Sequence, residues 1–166
     1  MDPIADLWIP ALMLGLGVGE HQSMNDTVLI WQLLYTKPHA ETRAELNLRR
    51  QGFATVLPRV RNGAECAPLF PGYIFCGHRA GQPTACLRST IGVLDIVRCG
   101  EQPARVPVEV IEEIRSRMNA HNIVRLGEGP KIDPLFAKTP RERVRALERL
   151  AAAGFRVRIG SRTICS

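Results

Sequence analysis

The chain has 166 residues, 45% of them hydrophobic, and a formal net charge of +6 at pH 7. That length holds one domain, or one domain with a small appendage. The charge points to an anionic partner, with nucleic acid ahead of membrane lipid and acidic protein surfaces. Five cysteines, Cys66, Cys76, Cys86, Cys99 and Cys165, show neither Cys-x-x-Cys nor Cys/His zinc spacing, so they read as reduced thiols of a cytoplasmic protein.

Trp8 to Val18 is apolar and glycine-rich but too short to span a bilayer. Met1 to Leu7 carries two aspartates where a secretion leader is basic. Residues 1–26 are expected to be disordered or an extension from an upstream start codon, with Met24-Asn25-Asp26 as the natural start. No membrane association is expected.

Val28 to Thr36 (VLIWQLLYT) is β-rich and mostly apolar, the pattern of a central strand. Lys37-Pro38 ends it, with Pro38 suited to the first turn of a helix. Ala40 to Gln51 is rich in helix formers, with Ala40, Ala44, Leu48 and Gln51 on one face. Glu41 and Glu45 lie N-terminal to Arg49, the helix-supporting orientation, and Gly52 fits the cap. Phe53 to Val60 reads as a strand interrupted by Pro58, hence an edge or a bulge, and Arg61-Asn62-Gly63 as a turn. In Pro68-Leu69-Phe70-Pro71-Gly72-Tyr73-Ile74-Phe75, Pro71-Gly72 predicts a turn and Tyr73 to Cys76 a buried strand. Leu69 and Phe70 suit either core plugs or an exposed docking surface.

Thr84 to Ser89 predicts a short helix, and Gly92 to Cys99 a strand ended by Gly100. Val108 to Ala120 predicts a helix with Val110, Ile111, Ile114 and Met118 on its apolar side. The resulting order, β-α-β-β-α-β-α, implies one mixed or antiparallel sheet with helices packed on it. Beyond His121, Thr139-Pro140-Arg141-Glu142 is a helix start with Thr139 as N-cap. Arg143 to Ala153 continues it, Gly154 closes it, and Phe155 to Ile159 alternates like a strand. Residues 131–166 hold nine Lys or Arg and three acids, a pattern of solvated surfaces as well as of binding faces.

No phosphate-binding Gly-rich loop, His-Glu-x-x-His or Gly-x-Ser-x-Gly is present. Glu112 and Glu113 are adjacent on a helix and face apart. The chain therefore reads as a binding protein, not an enzyme, with no cofactor or metal implied. Lys37 at a strand end and Arg43, Asn47 and Arg50/Gln51 along one helix face offer the groups that bind phosphate and base edges. The same spacing suits a plain polar face.

Residues 31 to about 117 resemble the N-terminal (NGN) domain of NusG-like transcription elongation factors. The resemblance is carried by Trp31-Gln32-Leu33-Leu34-Tyr35-Thr36-Lys37-Pro38, Glu41 to Phe53, Pro68 to Phe75, Arg88-Ser89-Thr90-Ile91-Gly92-Val93 and Ile96-Val97-Arg98-Cys99-Gly100. The nearest branch is RfaH-like. The resemblance implies an α+β fold, an NGN-type α/β sandwich with a mixed or antiparallel sheet and flanking helices. It implies an NGN-like domain over 27–120, a linker over 121–134, and a divergent KOW-like or helical region over 135–166. Glu142 to Leu147 resembles part of a KOW barrel, and residues 139–153 suit a helix lying on the N-terminal domain.

The resemblance also implies a job. Such factors bind RNA polymerase at the β′ clamp helices and β lobe, suppress pausing and oppose termination. The polymerase surface maps to Tyr35, Leu69, Phe70, Pro71, Tyr73, Phe75 and Ile96. A patch reading the non-template DNA strand maps to Lys37, Arg43, Asn47, Gln51, Arg88 and Thr90. Asn47 stands where the RfaH-like branch often carries histidine, and Ile91 where it often carries arginine. A small-subunit ribosomal protein is the partner implied for the C-terminal region, and a monomer is expected.

Overall fold

The computed structural model describes residues 29–126, 134–155, 158–159 and 162–163. The expectations for residues 1–26 and for residues 127–133 of the 121–134 linker lie outside them. At the centre is an antiparallel sheet in which β1 (Leu29–Thr36) lies beside β5 (Tyr73–Arg79), with β2 (Ala54–Val56) beyond β5. The other edge of β1 is shared by β6 (Val93–Ile96), paired near Leu34–Thr36, and β9 (Arg105–Val106), paired at Trp31 and Gln32. Strand alternation sends side chains to two faces, and both are covered. Helix α1 (Glu41–Arg50) closes one face over Leu34, Ile74, Cys76, Leu87, Val93 and Ile96. Helices α2 (Val108–Ser116) and α3 (Pro140–Ala152) share the other, over Trp31, Leu33, Phe70, Tyr73 and Phe75. The fold is α+β, an antiparallel sheet between helical layers.

The Pro71-Gly72 turn forms as its residue types require. Tyr73 N–H closes it on Phe70 O at 3.1 Å, and Gly72 takes the positive φ of +86° that a type II turn needs. Gly77, opposite Trp31, has another role. A Cβ there would sit 3.1 Å from the indole, so only glycine lets the ring lie flat on β5.

Several boundaries differ from the sequence expectation. Pro38 lies in a turn before α1, closed by Ala40 N–H on Lys37 O at 3.0 Å. Gln51 is exposed, and Glu41 and Glu45 take the buried side with Ala44 and Leu48. Glu45 pairs with Arg49 at 2.7 Å and Arg59 at 3.5 Å, while Glu41 accepts Gly72 N–H at 2.9 Å. The stretch before the Pro71 turn holds a hairpin, β3 (Arg59–Asn62) with β4 (Glu65–Pro68), turning at Gly63. The Gly92–Cys99 strand breaks at Val97, and β7 (Arg98–Cys99) forms its own hairpin with β8 (Gln102–Pro103) through Gly100. Helix α2 stops at Ser116 because the Asn119 carboxamide accepts His121 and Ile123 N–H at 2.9 and 3.0 Å. That local side-chain turn outcompetes another helical turn. It brings Val124 N–H to Arg59 O at 2.7 Å. After α3, Phe155 is not a strand residue. It is buried at φ +54°, and its N–H closes the helix on Leu150 O. β10 (Arg158–Ile159) pairs with β11 (Arg162–Thr163).

Candidate functional site

The residues mapped to a docking surface meet on the α2/α3 face, with one exception. Tyr35 and Tyr73 are cross-strand partners with ring centroids 5.0 Å apart. Phe70 stands edge-on to Phe75 at 5.9 Å and 82°. Pro71 is exposed at the turn. Ile96 belongs elsewhere: it pairs with Leu34 and packs under α1. Alternation makes Val97, not Ile96, the residue of that segment on the α2/α3 side.

This face is not open. Leu69, Phe70, Tyr73 and Phe75 are all buried, and Tyr35, at 36% exposure, is the large apolar residue left at the rim. The cover is α3. Its start is set by Thr139 and Glu142, whose side chains exchange hydrogen bonds with each other's backbone N–H in a capping box. The spacing of Arg143, Ala146, Leu147 and Ala151 then places all four on the buried side. Two polar contacts fix its register. The Tyr73 hydroxyl donates to Glu148 Oε1 at 2.7 Å. Arg143 donates through Nε to Leu69 O at 2.8 Å, and through Nη1 to Ala137 O and Lys138 O at 2.8 and 2.9 Å.

These contacts carry electrostatic consequences. Burial, then the bond to Glu148, pushes the Tyr73 phenol pKa well above its ordinary value, so the proton stays on the donor. Burial lowers the pKa of Arg143, partly offset by Glu142. Its buried guanidinium is satisfied by the Leu69 carbonyl of the loop that α3 covers and by the Ala137 and Lys138 carbonyls just ahead of α3. Neither Arg143 nor Glu148 was among the site residues expected from sequence. The available signal was periodicity, since Arg143 falls on the apolar stripe of a helix whose other arginines do not.

The polar patch lies on the opposite side of the sheet. Lys37 and Arg43 are exposed. Asn47 spends both amide protons internally, donating to Arg43 O at 2.9 Å and Ile91 O at 3.0 Å, which leaves only its oxygen for a ligand. Thr90 is buried, its hydroxyl shared between Cys86 O at 2.9 Å and Gln51 Oε1 at 3.1 Å. Lys37 N–H on Gly92 O at 2.9 Å completes the cluster. Gly92, at φ +99°, lets the 90–92 loop touch α1, since a Cβ would meet Ala44 N at 2.8 Å. Arg88 is drawn out of this group to Asp95, with contacts of 2.7 and 3.0 Å. The guanidinium holds the Asp95 carboxyl below its ordinary pKa. Among the described residues, the patch thus presents two unpaired cations, Lys37 and Arg43, the NH2 group of Gln51 and an exposed Ile91.

Among the described residues, no group of three or more His, Cys, Asp or Glu could hold a metal ion. No described helix is long and apolar enough to cross a membrane. Compared with known families, residues 29–115 match the family NusG, described as "Transcription termination factor nusG". The match runs from β1 almost to the end of α2; α3 lies beyond it.

Proposed function

The chain belongs to the NusG family, and from that premise we propose that it is an RfaH-like antitermination factor held closed by its own C-terminal helix. Members of the family are transcription factors, not enzymes, and bind RNA polymerase. In the proposed cycle, Tyr35, Leu69, Phe70, Pro71, Tyr73 and Phe75 dock on the β′ clamp helices once α3 leaves, and the bound factor suppresses pausing and termination. Aromatic anchors in a dry patch supply most of the energy of such an interface. The observation that carries this reading is the seating of α3 on that set of residues, through Glu148 on Tyr73 and Arg143 on Leu69 O. Lys37 and Arg43 would hold the non-template strand by its phosphates. Base reading falls to Gln51 and the Asn47 oxygen. The β lobe, and a small-subunit ribosomal protein meeting the released C-terminal region, complete the partners.

A second reading within the family has its own observation. With Asn47 donors, Thr90 and Arg88 all committed internally, the patch suits phosphate contact better than base readout. That is the property of a general elongation factor without DNA specificity. Binding to paused elongation complexes that differ only in non-template sequence separates the two. Sequence-dependent recruitment supports the specialised factor and uniform recruitment the general one. For the closed state, core polymerase is titrated with the full chain and with Arg143→Ala/Glu148→Ala. Tighter binding by the variant is expected; equal binding removes the cover from the proposal, and no binding by either removes the docking surface.

A further inference from the structure

The outward side of α3 is as ordered in its chemistry as the buried side. Arg141, Arg145 and Arg149 recur every fourth residue and are all exposed, and exposed Lys138 lies just before the Thr139 cap. A repeat of four advances about 6 Å along the axis and turns about 40° around it, so the three arginines form a slowly winding row about 12 Å long. Among the described residues none of these four side chains makes an ion pair or a hydrogen bond. The two acids of the helix are spent elsewhere, Glu142 on the capping box and Glu148 on the Tyr73 hydroxyl. These two carboxylates keep their charge and are exposed on the same side, so the four cations Lys138, Arg141, Arg145 and Arg149 outnumber them and the face stays net positive.

We infer that the Lys138–Arg141–Arg145–Arg149 row of α3 is a second nucleic-acid surface, one that grips the phosphate backbone of duplex DNA without reading its sequence. Charge supports an anion, and the row's regular spacing favours a polymer of phosphates over a single one. The other exposed residues from 139 to 153 are Thr139, Pro140, Glu142, Glu148, Ala152 and Ala153, with no aromatic ring. Single-strand binders depend on aromatic platforms for base stacking, so their chemistry is missing here, while a duplex offers a dense phosphate array that needs only cations. The row also lies across the sheet from Lys37 and Arg43, because α1 and α3 cover opposite faces. The two surfaces cannot share one short ligand. This inference is independent of polymerase docking, since it uses the outer side of α3 and not the side that α3 covers.

The test is fluorescence anisotropy of the full chain with a short mixed-sequence DNA duplex over a salt series. Arg141→Gln/Arg145→Gln/Arg149→Gln is expected to weaken binding by on the order of tenfold or more at low salt. It should also flatten the slope of log affinity against log salt by about 2 to 3, near 0.9 per lost phosphate contact. The triple Arg→Lys variant should keep the slope, because a lysine is still a point charge for phosphate. Arg145→Glu alone should weaken binding more than Arg145→Gln, with helical circular dichroism unchanged in each. An unchanged slope in the triple Gln variant overturns the inference. So does tighter binding to single-stranded DNA or duplex RNA of the same sequence, or binding to anionic lipid vesicles with none to the duplex.

Discussion

The Tyr73 hydroxyl and the Glu148 carboxylate lie 75 residues apart in the chain and 2.7 Å apart in the fold. Tyr73 is in the strand that follows the Pro71-Gly72 turn, and Glu148 is in the last helix. Their contact joins the family domain to a segment outside the family match, and it makes the apolar face of the sheet conditional on where α3 sits.

Arg143→Ala tests the anchor of that helix. It removes the largest fully buried side chain and leaves the carbonyls of Leu69, Ala137 and Lys138 without their donor. Loss of packing and of buried hydrogen bonds should destabilise α3 docking by about 2–4 kcal/mol. Hydrogen exchange should show faster exchange in α3 and much less change in β1 and β5, as for a locally opening unit. Uniform acceleration across the sheet would mean α3 opens only with the whole domain.

Tyr35→Ala is the clean probe of polymerase docking. Phe70 and Phe75 are core residues in the closed state, so truncating either should cost about 3–5 kcal/mol of stability and confuse the result. Tyr35 is 36% exposed. Its removal should weaken polymerase binding by about 1–3 kcal/mol while shifting the melting temperature little. Unchanged affinity would take Tyr35 out of the interface.

Gly92→Ala should damage the polar patch proposed to meet nucleic acid, and do so through the backbone. The new Cβ would lie 2.8 Å from Ala44 N at a residue with φ +99°, so the 90–92 loop must move off α1. A loss of about 1–3 kcal/mol or more is expected in denaturant melts. The amide signals of Asn47 and Thr90 should shift with it, since both side chains are tied to this loop.

Thiol chemistry and alkaline stability follow from Cys76. Burial, then the neighbouring Cys86, pushes its pKa up to about 12. The exposed Cys66 and Cys86 should be alkylated at mildly alkaline pH while Cys76 is spared until the chain unfolds, a contrast that peptide mass spectrometry reads directly. For stability, the folded state keeps the proton that the unfolded state releases near pH 8.5. The contribution is therefore complete below that pH and lost as pH rises towards 12, at up to about 1.4 kcal/mol per pH unit. Tyr73, also shifted upward, acts with the same sign from its own unfolded value near 10. Cys76→Ala should reduce the alkaline loss; an unaltered pH profile would show that the thiol contributes nothing to it.

What could be read along the chain was local. The Pro71-Gly72 turn follows from two residue types and one positive φ, and the start of α3 from Thr139, Pro140 and Glu142. The central strands follow from runs of β-branched and aromatic residues, and the α1 cap from Gly52. The β3–β4 hairpin was not legible, because Pro58, Glu65 and Pro68 make its strands look like loop. The start of α2 at Val108 agrees with the sequence pattern, and its C-terminal end does not: the periodicity continues to Met118, and only the Asn119 side chain stops it.

The sequence by itself determined the elements, the NusG resemblance and the set of apolar residues around Pro68–Phe75. Whether Leu69, Phe70 and Tyr73 meet solvent or core was decided by the tertiary structure, and so was the separation of Ile96 from that set. Turns, caps and periodicity arise from neighbours within a few residues, which the sequence lists in order. Burial of a face depends on which distant segment covers it. Here that segment is α3, held by an arginine on a backbone carbonyl 74 residues away and a glutamate on a tyrosine hydroxyl. Periodicity marks Arg143 as a buried-side residue, but no local pattern names the partner of either residue.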